Sequence, residues 1–165
     1  MNIKKKLNKY LNLYLKPVES GTLFRSSKML GSRANINYEC ESDINTYINE
    51  NKDEDTFQTK LFKLIDERGL KDSDVYNKVD IDRRLFSKIR SNRDYHPSKE
   101  TIILLGLGLE LNEIEIEELL KSASYSLPMN TTFDLIVRFC FKEHIYDVST
   151  VNEFLYDHGC KLLNE

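Results

Sequence analysis

The chain has 165 residues with an ordinary apolar fraction of 40%, enough for one domain with additions to its core. Three prolines and six glycines disfavour a loop-rich or β-rich fold, and no apolar run is long enough to cross a membrane. The net charge is −3, the three cysteines are too widely spaced for a disulfide framework, and no signal-peptide core follows the basic N-terminus. We therefore expect a cytoplasmic protein.

Charge alternates along the chain in four blocks. Residues 1–33 carry eight basic side chains against one acid, and residues 34–56 carry one against seven. Residues 57–99 then carry eleven basic and seven acidic side chains, and residues 100–165 carry four basic and twelve acidic ones. A basic face can bind phosphate even on an acidic chain, whereas charged blocks are also typical of solvated surface. Both interpretations stay open for the first block, and RNA is a further candidate partner for it.

The first third of the chain is predicted to be weakly ordered. Apolar residues at helical spacing indicate a short helix that ends before Pro17. From Glu19 to Asp55 polar residues dominate, with one short helix at residues 43–49. We interpret residues 1–55 as a helix and a weakly ordered arm, and we expect the basic block from Lys4 to Arg33 to act as a binding arm rather than as part of the core. The alternative is that its positive charge neutralises the acidic C-terminal block of the same chain.

Regular helical periodicity begins at Thr56 and predicts five helices before Leu127-Pro128 breaks the chain. The supporting signals are a glycine at the expected C-terminal cap, Gly69, and N-terminal caps at Ser98 and Asn112. Glu115 completes a capping box with Asn112. The predicted helices cover residues 57–68, 72–79, 82–91, 99–110 and 113–122.

Two more helices follow that break. Thr132 can cap the first, and Asp147 or Ser149 begins the second, which Gly159 ends. No strand alternation and no internal repeat is visible. The sequence therefore predicts an all-α fold with three parts. They are residues 1–55, a five-helix core at residues 56–124, and a helical extension at residues 125–165 that packs on the core.

The fourth helix of this core carries leucines on nearly every side. Leu104 and Leu107 complete its apolar circumference, which requires cover by the C-terminal helices or by a partner chain. Gly106 and Gly108 in the same helix indicate close helix packing. The predicted shared core consists of Phe57, Leu61, Leu64, Val75, Phe86, Ile89, Leu105 and Leu109.

The most informative run extends from Ile81 to Leu120. It begins with IDRRLFSKIR, continues through a basic loop to Pro97, and ends in the helix that Asn112 caps. With the helices before it, residues 57–122 resemble the five-helix DNA-binding domain of the Xre/Cro phage-repressor superfamily. The whole chain also resembles a group of small bacterial proteins that combine this core with helical flanks.

That resemblance implies a helix-turn-helix core whose recognition helix is the run from Ile81 to Arg90. Its base-reading positions are Arg83, Arg84 and Lys88, since long donors on the outer face enter the major groove. The implied phosphate contacts are Arg90, Arg93 and Tyr95. The implied function is a DNA-binding transcription regulator that acts without a cofactor. Whether it forms a homodimer stays open.

Two departures from the family pattern favour a different function. Tyr76 stands where a small residue is usual, and Asp80 where the turn usually has glycine, so the two helices must cross differently or lie further apart. Asp72, Asp74 and Asp82 also place negative charge beside the candidate face. The alternative is a non-catalytic protein-interaction module, for example an adaptor or inhibitor in phage–host conflict.

Catalytic and metal sites find little support in the sequence. Cys140 and His144 lie one helical turn apart, and His158 and Cys160 follow, which are candidate zinc ligands. Cys140 falls inside an apolar stripe, however, so we interpret it as a core residue. Phosphate loops, H-E-x-x-H pairs and nucleophile elbows do not occur. We predict no enzyme, no metal and no cofactor.

Overall fold

The computed structural model describes residues 3–15, 40–51, 56–93 and 95–164. This part of the chain is helical and contains no strand, which confirms the predicted all-α fold. The helices are α1 (Ile3–Tyr14), α2 (Cys40–Asn51), α3 (Phe57–Glu67), α4 (Asp72–Lys78), α5 (Arg83–Ser91), α6 (Lys99–Gly108), α7 (Glu113–Ser122), α8 (Thr132–Lys142) and α9 (Val148–Asp157).

The described helices belong to two compact units. One comprises residues 17–54, of which the structure describes α2, and the other comprises residues 1–16 and 55–165. α2 includes the helix predicted at residues 43–49 and is longer at both ends. Its exposed apolar side chains are Ile44, Tyr47 and Ile48. No helix in the described ranges has the length and apolar character needed to span a bilayer.

Local capping groups set most helix boundaries of the larger unit. The Ser98 hydroxyl accepts a hydrogen bond from the Thr101 amide, and Asn112 forms the predicted capping box with Glu115. Asp147 caps α9 as predicted. α8 begins one residue earlier than expected, because Thr131 rather than Thr132 accepts from the Asp134 amide. These side chains satisfy amides that have no partner within the first helical turn.

α6 lies at the centre of the larger unit, and its residues from Ile102 to Gly108 are all buried. A methyl group on Gly106 would lie 2.5 Å from Cδ1 of Ile116 in α7 and 3.2 Å from Cζ of Phe141 in α8. The C-terminal extension therefore contributes to covering this helix. Close packing, as predicted, is the reason for glycine at position 106.

The predicted core is largely confirmed. Seven of its eight members are buried, and Leu64 is half-buried against the same core. Phe86 and Ile89 are only 2% and 1% exposed. The inward face of α5 is therefore the one that the apolar spacing predicts.

The connection between α4 and α5 accommodates both unusual residues. Asp80 adopts a φ of 55°, so an aspartate takes the left-handed conformation that glycine usually supplies in a tight turn. Tyr76 is half-buried, with its ring 5.4 Å from that of Phe86. The close helix approach occurs elsewhere, because a methyl group on Gly108 would lie 3.1 Å from the Val75 carbonyl oxygen. The small residue thus stands on α6, facing α4.

α1 contradicts the expectation of a binding arm outside the core. Leu7 and Leu11 are 1% and 5% exposed, and the Tyr10 ring packs 5.4 Å from that of Phe139 in α8. Two leucines one turn apart form an apolar stripe, and α8 supplies the surface that buries it. Lys4 pairs with acids of α9, and Lys6 pairs with Glu143. The remainder of the proposed binding arm, residues 16–33, lies outside the described residues.

Candidate nucleic-acid interface

Hydrogen bonds fix both ends of α5. At its start, Asp82 accepts a hydrogen bond from the Arg84 amide at 2.6 Å. At its end, the side-chain amide of Gln58 in α3 donates to the carbonyl oxygens of Ile89, at 3.0 Å, and of Arg90. Since Phe86 and Ile89 are buried between these ends, one face of the helix is held against the core and the opposite face is presented to solvent.

The outer face of α5 is polar and basic. We use this name for five of its six exposed residues, Arg83, Arg84, Ser87, Lys88 and Ser91; the sixth, Arg90, lies beside the buried face. At 100° per residue, Arg84, Ser87 and Ser91 lie opposite the buried side, and Arg83 and Lys88 flank them. The two serines were not among the predicted site residues, although the same helical spacing places them there. Their small side chains leave room for close approach between the longer basic ones.

The three predicted base-reading residues come together on this face. None of them forms an ion pair with any carboxylate that the structure describes within 4.0 Å. The Lys88 ammonium lies 4.2 Å from the centre of the Tyr95 ring. An ammonium above an aromatic face is attracted by the ring quadrupole. Tyr95 therefore contacts Lys88 itself, a pairing that the sequence does not indicate.

Arg90 has a different environment from the phosphate contact that the family pattern implies. Its Nη2 and Nε lie 2.7 Å from Oδ1 and Oδ2 of Asp72, respectively. Its guanidinium carbon lies 4.1 Å from the centre of the Phe62 ring. Arg90 follows the buried Phe86 by one helical turn, so its exposed side chain lies beside the buried face and reaches the adjoining helices. The structure therefore places this charge in an intramolecular ion pair.

The loop after α5 is anchored to the end of α7 and the residues that follow it. Arg93 is exposed, Tyr95 is half-buried, and Nε2 of His96 lies 2.7 Å from the Ala123 carbonyl oxygen. The Tyr125 hydroxyl lies 3.4 Å from the other nitrogen of that ring. Arg93 is thus carried on a short connection whose end is tied to the region after α7.

A shallow groove of about 620 Å³ separates α4 from α5 and borders the outer face. It opens to solvent and is mostly polar or charged at its rim. The lining residues are Leu70, Lys71, Asp72, Ser73, Tyr76, Arg83, Phe86, Ser87 and Arg90.

The aspartates near this surface are not equivalent. Asp72 is paired with Arg90, and Asp74 accepts a hydrogen bond from the Lys71 amide at 3.2 Å. Asp80 and Asp82 are exposed, and Asp82 stands directly before the two arginines. The exposed basic side chains therefore lie along α5, with acidic residues at its N-terminal end.

The candidate zinc ligands have other roles in the structure. Cys140 is fully buried, and desolvation raises the pKa of its thiol to about 12, which disfavours the thiolate that binds metal. His144 lies 2.8 Å from the Tyr146 hydroxyl, and His158 lies 2.7 Å from the Phe154 carbonyl oxygen. Across the described ranges, no three His, Cys, Asp or Glu side chains are grouped as metal ligands.

Comparison with known proteins adds no evidence about function. No protein-family model, no curated protein and no solved structure matches the chain. The likeness to the phage-repressor superfamily therefore depends on the residues from 57 to 122 alone.

Proposed function

We propose that the protein is a sequence-specific DNA-binding regulator of the helix-turn-helix type, with α4 and α5 as the two helices. The observation that carries this proposal is the outer face of α5. Arg83, Arg84 and Lys88 are exposed there on one side of a helix whose other side is anchored in the core. A helix of this kind fits the major groove of B-form DNA, where side chains reach the base edges.

The side chains on the outer face suit this task. Each arginine can donate two hydrogen bonds to one guanine, and such a pair discriminates between bases by about 1–3 kcal/mol. Ser87 and Ser91 let the helix approach the groove closely, and a serine hydroxyl can bond to several bases. Arg93 is placed beyond the helix, where a phosphate contact would set the register without reading sequence. We propose that the protein acts in the cytoplasm, without a cofactor, as a monomer or a homodimer.

The test begins with selection of a preferred duplex from a random pool at low salt, where phosphate attraction is strongest. The variant Arg83→Ala with Arg84→Ala is expected to lose most affinity for that duplex while its circular dichroism spectrum is unchanged. Lys5→Ala with Lys9→Ala is the matched control, because it removes the same charge from exposed positions of α1. If the unaltered protein binds no duplex at low salt, the proposal is wrong.

A second candidate function is the non-catalytic protein-interaction module. The observation that favours it is the exposed pair Asp80 and Asp82 at the N-terminal end of α5, where they would repel a phosphate backbone. A folded protein that binds no duplex at low salt would support this candidate. RNA binding through the first basic block is less well supported, because Lys4 and Lys6 pair with acids of the same chain.

A further inference from the structure

Arg90 connects three helices through one side chain. It forms two short contacts with Asp72 of α4, both 2.7 Å, and its guanidinium lies over the Phe62 ring of α3 at 4.1 Å. Phe62 in turn meets Phe86 of α5 edge to face, with ring centres 6.1 Å apart. The end of α5 is thereby fixed to α3 and α4 at the same point.

The geometry distinguishes this ion pair from an ordinary surface one. Exposed pairs contribute little when two flexible side chains must be held together. Here the planar guanidinium engages both carboxylate oxygens and stacks on a ring, which fixes its orientation. The Gln58 amide holds the Ile89 and Arg90 carbonyl oxygens nearby, so the backbone is restrained at the same place.

The charge balance beside the groove also depends on this pair. Asp72 lines the groove between α4 and α5, where an unpaired carboxylate would repel an approaching phosphate. Pairing with Arg90 neutralises the charge of this carboxylate. The same contact occupies the guanidinium that would otherwise bind a phosphate. An arginine already paired with a carboxylate displaces few counterions from DNA.

We propose that Arg90 is a positioning residue for DNA recognition and contacts no phosphate itself. It sets the angle between α4 and α5, and through that angle it determines where Arg83 and Arg84 meet the bases. This inference rests on the proposed DNA-binding function. It assigns to position 90 a role different from the one that the family resemblance implies.

The test replaces the ion pair by a neutral pair of similar size, Asp72→Asn with Arg90→Met, which leaves the net charge unchanged. Affinities for the selected duplex and for a scrambled duplex are measured across a salt series. The ratio of the two affinities is expected to fall by about tenfold, within the range for loss of one base contact. The slope of log affinity against log salt is expected to stay the same. Arg90→Lys keeps a cation beside Asp72 but loses the planar two-point contact, so it is expected to recover only part of the ratio.

Each contrary result has a distinct meaning. A salt slope reduced by about 0.9 in the neutral pair shows that Arg90 contacts a phosphate and overturns the inference. A lower melting temperature with an unchanged affinity ratio shows a merely structural role and also overturns it. In both cases the proposed function stands. If the unaltered protein binds no duplex, the proposed function fails and the inference fails with it.

Discussion

Lys88 and Tyr95 form a cation–aromatic pair across the end of α5, with the ammonium 4.2 Å from the ring centre. Lys88 is exposed on the outer face, whereas Tyr95 is half-buried in the loop that follows and packs against the core. The rigid ring therefore restricts a long and otherwise mobile lysine. Restricting it before binding reduces the conformational entropy lost in a complex.

This pair gives a first prediction for DNA binding. Tyr95→Ala is expected to weaken binding to the selected duplex by about two- to fivefold, the equivalent of about 0.5–1 kcal/mol for an exposed cation–aromatic pair. Tyr95→Phe keeps the ring and is expected to bind like the unaltered protein. Fluorescence anisotropy titrations measure both. Equal losses in the two variants would show that the hydroxyl, and not the ring, is the group that matters.

Gly106 gives a prediction for stability. Gly106→Ala places a methyl group 2.5 Å from Cδ1 of Ile116, and overpacking of this kind costs about 1–3 kcal/mol of unfolding free energy. Ile116→Val removes Cδ1 and alone costs about 0.5–1.5 kcal/mol. Because Ile116→Val removes the atom that the new methyl group would meet, the double variant is expected to lose less unfolding free energy than the sum of the two single losses. Urea unfolding measures all four proteins, and strictly additive losses would contradict the contact.

Leu7 gives a prediction for the first helix. Leu7→Ala is expected to reduce the free energy of unfolding by about 2–5 kcal/mol, because its side chain is fully buried. Lys5→Ala, at an exposed position of the same helix, is the control and is expected to have little effect. Most of the loss should persist in high salt, since screening weakens only the ion pairs of α1. A loss that disappears with added salt would indicate that α1 is held mainly by the ion pairs of its lysines.

The features of this fold that depend on residues close together in the sequence were predictable, whereas those that depend on distant residues were not. Asn112 and Glu115 are three residues apart, and their capping box follows from the sequence alone. The inward face of α5 follows equally from the spacing of Phe86 and Ile89. The burial of α1 does not, because the same leucine stripe could face a partner. Its ion pair between Lys4 and Glu153 joins residues 149 positions apart.

The candidate interface was likewise predictable only where residues close in the sequence determine it. Helical spacing places Arg83, Arg84 and Lys88 on an exposed face, and the structure brings them together there. Spacing alone could not show that Arg90 pairs with Asp72, since both are polar and 18 positions apart. Sequence patterns indicate which side chains face outward. The three-dimensional arrangement of α3, α4 and α5 determines which of those charges are already paired.

Glu115 gives a prediction for the acid dependence of stability. Burial acts to raise the pKa of its carboxyl, but hydrogen bonds from the Asn112 amide and the Arg68 guanidinium, the latter at 2.7 Å, lower it overall. A carboxyl whose pKa is lower in the folded protein stabilises it above the unfolded pKa of about 4.3, and that stability is lost as the pH falls through the folded value. Glu115→Gln is therefore expected to lose less stability than the unaltered protein between pH 6 and pH 3. Urea unfolding at both pH values measures the difference, with Glu118→Gln, an exposed change on the same helix, as control. If Glu115→Gln and the unaltered protein lose equal stability over that interval, the contacts with Asn112 and Arg68 do not favour the ionised carboxyl.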